Sequence, residues 1–363
     1  MSKITYLLGA GASYGQREFD EKGRIIEFVR GLPVVNELSG AIALLQSGGT
    51  GKDVRFPAEE AARQHVSLAN YEYVQKYLTL LRVACASFPT IDTLAKLLYV
   101  TKQAFVFKDK NVSIGYEDLK RMLTAVLLMM QSENKKDLRY DGFIASLIDS
   151  RLNFQPMTIL SWNYDLQFEL AYSGYSLNGR YLPTLWDELN VYNKTYLTDF
   201  DVNKPFAMVK LNGTACFTNQ NLEKWLVGTH YIDRVSDCFY GGENKTPYQY
   251  GYDYLCGANY HTMLSYAWET GNMKSLQNII LERTADTQEL IVIGYSFPYV
   301  NNEVDSYILQ HMWKLQKIVV QDKEDSFNDI KERIEGILEP TGRKVEIVSK
   351  SNLRQFYIPN RFI

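Results

Sequence analysis

Short apolar runs recur along the chain, separated by longer stretches with helical spacing. Residues 3–8 are apolar with little alternation, the pattern of a strand buried on both faces of a parallel sheet. Residues 157–161, 206–211, 289–293 and 317–321 read the same way, and 344–348 reads as a last, edge strand. Between the strands, Val35, Leu38, Ile42 and Leu45 repeat at helical spacing. Residues 70–150 are mostly helical in pattern. Tyr77, Leu80, Leu81 and Ala84 share one face, Leu94, Leu97 and Leu98 another, and RMLTAVLLMM (121–130) predicts a buried helix. Helices are expected from residue 163, over 272–285 and 304–314, and, amphipathic, over 327–338. Residues 17–31 read as a loop or short helix, 172–205 as loops with short strands, and 219–257 as irregular.

Strands alternating with helices predict an α/β fold, a Rossmann-like doubly wound parallel sheet. The helical stretch is large enough to be an inserted module. The expected organisation is therefore 1–40 and 156–363 as the sheet domain, with 41–155 as a helical insertion.

Four of the strands end in polar or glycine-rich segments: LLGAGAS (7–13), SWNYD (161–165), KLNG (210–213) and GYSFP (294–298). Polar groups at the carboxyl ends of neighbouring parallel strands usually build one ligand site in the crevice above them. Gly9 and Gly11 suit close approach of a ligand, and Ser13 suits the N-cap of a following helix whose free N–H groups would face an anion. A tight strand-to-helix connection needs the same glycines. The spacing through Gly15 is not that of the dehydrogenases, and no acidic residue closes a second strand to hold a ribose. Asn163 and Asp165 fit a site, or equally a turn. SGGTGKD (47–53) fails the P-loop pattern, with Gln46 at the first glycine position and Asp53 at the magnesium-binding hydroxyl, and reads as a turn.

Composition narrows the classes. The chain has 363 residues and a formal net charge of -3, so no protein-wide basic surface points to direct nucleic-acid binding. No apolar run is long enough to span a bilayer, and the short apolar N-terminal stretch runs into the glycine turn rather than a cleavage site, so the expectation is a cytoplasmic protein away from membranes. Cys85, Cys216, Cys238 and Cys256 form no C-x-x-C pair, so no metal is expected and reduced, mostly buried thiols are. His65, His230, His261 and His311 lie outside the motifs. His230 and His261 are the two in loop-rich stretches near the expected site.

In their order along the chain, GAGAS, S-W-N-Y-D, K-L-N-G and I-G-Y-S-F, with Leu32-Pro33 and DLRYDGFIASL (137–147), resemble the sirtuin-like NAD-binding family, and most closely its bacterial anti-phage branch. The resemblance runs over nearly the whole chain. It implies cleavage of the nicotinamide–ribose bond of NAD, giving nicotinamide and ADP-ribose. By that resemblance Gly9, Ala10, Gly11, Ala12 and Ser13 hold the pyrophosphate, and Gly294, Tyr295 and Ser296 line the adenosine side. Pro33, Trp162 and Gly213 complete the nucleotide site. Asn163 binds the nicotinamide-side ribose or positions the attacking water, and Asp165 orients that site. The family's K-L-H-G is K-L-N-G here, so Asn212 stands where the family's general base is a His, and an amide takes no proton at neutral pH. The alternative is a catalytically weak nucleotide-binding scaffold or sensor. A protein deacylase is disfavoured, because that branch carries a four-cysteine zinc module. The resemblance also implies a homo-oligomer acting with a separate partner, such as a HerA-type hexameric ATPase or an Argonaute-like protein. The 26 tyrosines suit assembly surfaces or ordinary packing.

Overall fold

The structure, a computed structural model, describes residues 3–47, 68–107, 112–133, 136–176, 182–194, 200–219 and 260–360. The strands are β1 (Ile4–Leu8), β2 (Gln16–Phe19), β3 (Ile25–Arg30), β4 (Phe105–Phe107), β5 (Val112–Ile114), β6 (Met157–Ser161), β7 (Val191–Tyr192), β8 (Phe206–Lys210), β9 (Gly213–Asn219), β10 (Tyr260–Leu264), β11 (Glu289–Ile293), β12 (Lys317–Gln321) and β13 (Glu346–Lys350). The helices are α1 (Leu38–Ser47), α2 (Leu68–Ser87), α3 (Ile91–Thr101), α4 (Tyr116–Glu133), α5 (Arg139–Leu147), α6 (Gln167–Tyr172), α7 (Leu182–Glu188), α8 (Thr270–Thr284), α9 (Asn302–Gln310) and α10 (Phe327–Leu338).

Seven strands form one parallel sheet in the order β13-β12-β11-β1-β6-β8-β7. With helices flanking it, this is the α/β Rossmann-like doubly wound fold. Residues of β1, β6, β8 and β11 are buried throughout, which is why those segments read as unbroken apolar runs. From β1 the chain steps outward to β6 and β8, then returns to the opposite side of β1 through β11, β12 and β13. The order thus reverses beside β1, and the paired ends Leu8, Ser161, Lys210, Ile293 and Gln321 open on one crevice.

Helices α1 to α5 lie in sequence between β3 and β6. Their apolar faces bury Leu38, Ala41, Ile42 and Leu45 of α1 and Leu119, Met122, Leu123 and Val126 of α4. Ala95 and Leu98 share the buried face of α3 with Leu94, whereas Leu97 is 46% exposed. Residues 17–31 are a β-hairpin, β2 with β3, rather than a loop or helix. The Asp20 carboxylate closes its turn by accepting from the amides of Lys22 and Arg24. The buried Arg17 guanidinium straps it down through the carbonyls of Arg30 and Leu32 and the carboxylate of Glu37. A second antiparallel pair, β9 with β10, follows KLNG directly. Residues 48–53 of the glycine stretch, with His65, His230, Cys238 and Cys256, lie outside the described residues. Among the described residues no single helix is long and apolar enough to cross a membrane.

Candidate functional site

The glycine turn after β1 and the turn after β11 interlock. Gly9 N–H donates to the carbonyl of Ile293, Gly11 N–H to that of Gly294 (3.0 Å each), and Gly294 N–H to that of Gln321. A Cβ on Gly9 would stand 2.5 Å from the Gly294 carbonyl oxygen, and one on Gly11 2.7 Å from the Gly294 Cα. The glycines are thus explained by turn-on-turn contact, with no ligand needed. The expected helix after the turn is absent. Ala10–Ser13 form a short 3-10 turn that leads into the hairpin. The amides of Gly9, Gly11, Ala12, Tyr14 and Gly15 all donate within the protein, so most of the amides expected to face an anion are already engaged.

Ser13 is not an N-cap. Its hydroxyl sits between the Tyr140 hydroxyl (3.0 Å) and Asn163 Nδ2 (3.1 Å), close enough to the Asp165 carboxyl to influence it. The DLRYDGFIASL stretch buttresses this turn. Asp137 accepts from Gly15 N–H, and Arg139, paired with Asp137 at 2.6 Å, donates to the carbonyls of Gly11 and Ala12.

Of the residues expected from the sequence, Ala10, Ser13, Pro33, Trp162, Asn163, Asp165, Asn212, Gly294, Tyr295 and Ser296 line one narrow cavity of ≈ 140 Å³. Gly11 joins Ala10, Gly294 and Ser296 on a wider adjoining cleft of ≈ 1200 Å³. Gly9 and Ala12 support the turn from behind. Gly213, at φ +68°, packs its bare Cα where a Cβ would meet the Met263 carbonyl at 2.3 Å, so it serves the β9–β10 pairing rather than a ligand. His261 lies exposed on β10 and His311 stacks on Tyr307 at the end of α9, so neither joins the cavity.

Each polar group has a defined attachment. Asn163 donates from Nδ2 to Ser13, which leaves its carbonyl oxygen for a ligand. Asp165 accepts from the Gln167 amide at 3.0 Å. Burial pushes its carboxyl above the usual range, while nearby Lys210 and the Ser13 hydroxyl hold it down. Lys210 is wholly behind the wall. Its Nζ donates to the Asp165 carbonyl at 2.6 Å and pairs with Glu169 at 3.0 Å. Asn212 Oδ1 accepts from the Ala267 amide at 3.0 Å, so Nδ2, a donor, is its ligand end. Trp162 stacks on Tyr295 at 5.6 Å between ring centres, and the Tyr295 hydroxyl donates to the buried Asp305 at 2.8 Å.

Two acids escaped sequence reading. Asp92, in the first turn of α3, lines the narrow cavity and accepts a hydrogen bond from the Tyr164 hydroxyl of SWNYD. Its sequence context, an acid near a helix N-terminus, is that of any ordinary helix start. Asp322 directly follows β12 and lines the wide cleft, with Arg30, Lys323 and Arg354 on the same walls. Its strand-end position was readable. The acid closes a later strand than the second, and β12 lies two strands from β1 in the sheet. Among the described residues no three His, Cys, Asp or Glu side chains converge to hold a metal. The fold and site define an α/β protein with a polar crevice at the reversal point of a parallel sheet. No family model matches the sequence.

Proposed function

We propose that the protein is a sirtuin-like NAD hydrolase that releases nicotinamide and ADP-ribose. The observation that carries this reading is the meeting of Ser13, Asn163, Asp165 and Asn212, from three distant motifs, in one narrow cavity beside a wide cleft. A whole dinucleotide needs the larger space, since pockets for drug-sized ligands run to about 300–1,000 Å³. The narrow cavity takes the nicotinamide end, and the cleft takes the ADP end. Arg30, Lys323 and Arg354 supply the charge that a diphosphate requires, in place of the turn amides already spent on the protein. The carboxylate of Asp322 suits ribose hydroxyls.

In the reaction the bond from C1′ of the ribose to the nicotinamide nitrogen breaks, and its electron pair leaves with nicotinamide. The positive charge passes to the sugar. A water oxygen then bonds to C1′ and gives up one proton. The Asn163 carbonyl is placed to accept from a ribose hydroxyl or from that water, and Asp165 steadies it through Ser13. Asn212 donates and does not take the proton. That same residue favours the second reading, a catalytically weak subunit that binds the nucleotide to sense or scaffold. By the same resemblance the protein works as a homo-oligomer with a separate ATPase or Argonaute-like partner in defence against phage.

Nicotinamide release by the purified protein, alone and with co-expressed neighbours, tests the reading. Turnover that Asn163→Ala abolishes is the expected result. NAD binding without release in every context, with release appearing on Asn212→His, moves the protein to the second reading.

A further inference from the structure

Asp92 is a buried carboxyl on the wall of the narrow cavity, brought there by the helical block rather than by the sheet. The groups around it are hydroxyls and a thiol. Tyr164 hydrogen-bonds it, and Tyr266, Tyr295 and Cys85 lie near enough to feel its charge. Lys96, one turn along the same helix, donates to the Val300 carbonyl at 2.9 Å and lies over the Trp268 ring. Among the described residues no Lys or Arg forms an ion pair with Asp92. The other acid of the cavity, Asp165, differs in having Lys210 beside it. A buried carboxylate without a cation is costly, and on the wall of a cavity a bound cationic ligand can supply the missing charge. On the reading above, the ligand is cationic at this end, first on the nicotinamide ring and then on the sugar.

We propose that Asp92 is the counter-charge of the site, paired with the positive end of NAD and with the cationic sugar that forms from it. This rests on the dinucleotide reading. It gives the helical block a chemical part, since the carboxylate that neutralises the ligand comes from α3 and is fixed in place by the tyrosine of SWNYD. Burial lifts the Asp92 carboxyl above its usual range against the Tyr164 hydrogen bond, and a cation bound beside it favours the charged form. ADP-ribose carries no such charge and gains nothing from Asp92.

The test uses the full chain. In an Asn163→Ala background, which stops turnover, the affinities for NAD and for ADP-ribose are measured by calorimetry with and without Asp92→Asn. The expected result is a tenfold or greater loss of NAD affinity with ADP-ribose affinity unchanged. Asp92→Asn alone should lower nicotinamide release about a hundredfold, the scale of losing one electrostatic stabiliser of a transition state. Equal weakening of both ligands, or no change in either, overturns the proposal. Should Asp92→Asn not fold, Tyr164→Phe removes the hydroxyl that holds the carboxylate and keeps the ring. It should lower the NAD to ADP-ribose affinity ratio, and an unchanged ratio overturns the proposal there. A wild-type protein that binds neither ligand overturns the dinucleotide reading itself. Asn163-dependent turnover that Asp92→Asn leaves intact overturns only the role of Asp92.

Discussion

Asp305 has little reason to ionise. Its only described hydrogen bond to the Tyr295 hydroxyl is on one oxygen, the other oxygen is buried without a partner, and burial raises the carboxyl well above the ordinary range. A carboxyl raised in the folded state contributes stability in full below its unfolded value, near pH 4, and loses that contribution as pH climbs through the folded value. Asp305→Asn stays neutral throughout. Its unfolding midpoint in urea should therefore gain on the wild type as pH is raised from about 4 upward. A gap that is constant with pH would show that Asp305 is not the titrating group. Residues of this kind explain the uneven legibility of the site. Asn163 and Asp165 could be read because they terminate a strand in a recognisable string. Asp92 could not, because only the folded helical block brings it to the same wall, against Tyr164 72 positions away in the sequence.

Helix α6 is buried along its whole length, as the central strands are. Every residue from Gln167 to Tyr172 is buried, including Glu169, whose carboxylate takes both Lys210 Nζ and, at 3.2 Å, the Trp186 indole N–H. The lysine of KLNG thus ties the end of β8 to the segment behind Asp165. Removing one member of a buried pair strands the other, at a cost of about 3–5 kcal/mol, whereas replacing both with apolar residues is often near neutral. Lys210→Met should cost stability on that scale in chemical denaturation, and adding Glu169→Leu should recover most of it. A double variant as unstable as the single would show that the pair is not the source. The central strands were legible because both of their faces are covered. The β2–β3 hairpin was not, because a ribbon with Phe19 and Ile26 exposed and Arg17 turned inward breaks the usual sorting of polar from apolar. Helix α9 stops four residues short of its periodicity. The Arg343 guanidinium takes the carbonyls of Leu309, Gln310 and Met312 from 31 to 34 residues away.

At the scale of the molecule, the alternation of strands and helices gave the fold class, while the strand order depended on contacts that local patterning does not record. Nothing in residues 3–8 says that they lie between 157–161 and 289–293. The helical block roofs the crevice at the sheet's carboxyl edge through α3 and α4, whose Asp92, Leu123 and Leu127 meet SWNYD and GYSFP across the cavity. Several of the tyrosines noted for their abundance are spent inside this junction. Tyr266 lies stacked on Trp268 at 4.7 Å, with Tyr116 and Tyr99 against the same indole.

The middle of the sheet joins parts of the chain made at very different times. Thr5, in β1, shares a hydroxyl hydrogen bond with Thr287, a separation of 282 residues. During synthesis β1 leaves the ribosome early, and the interlock of its glycine turn with Gly294 waits until that second turn follows. The crevice is therefore complete only late in synthesis, and a chain released before residue 294 would lack the far wall on which the glycine turn rests.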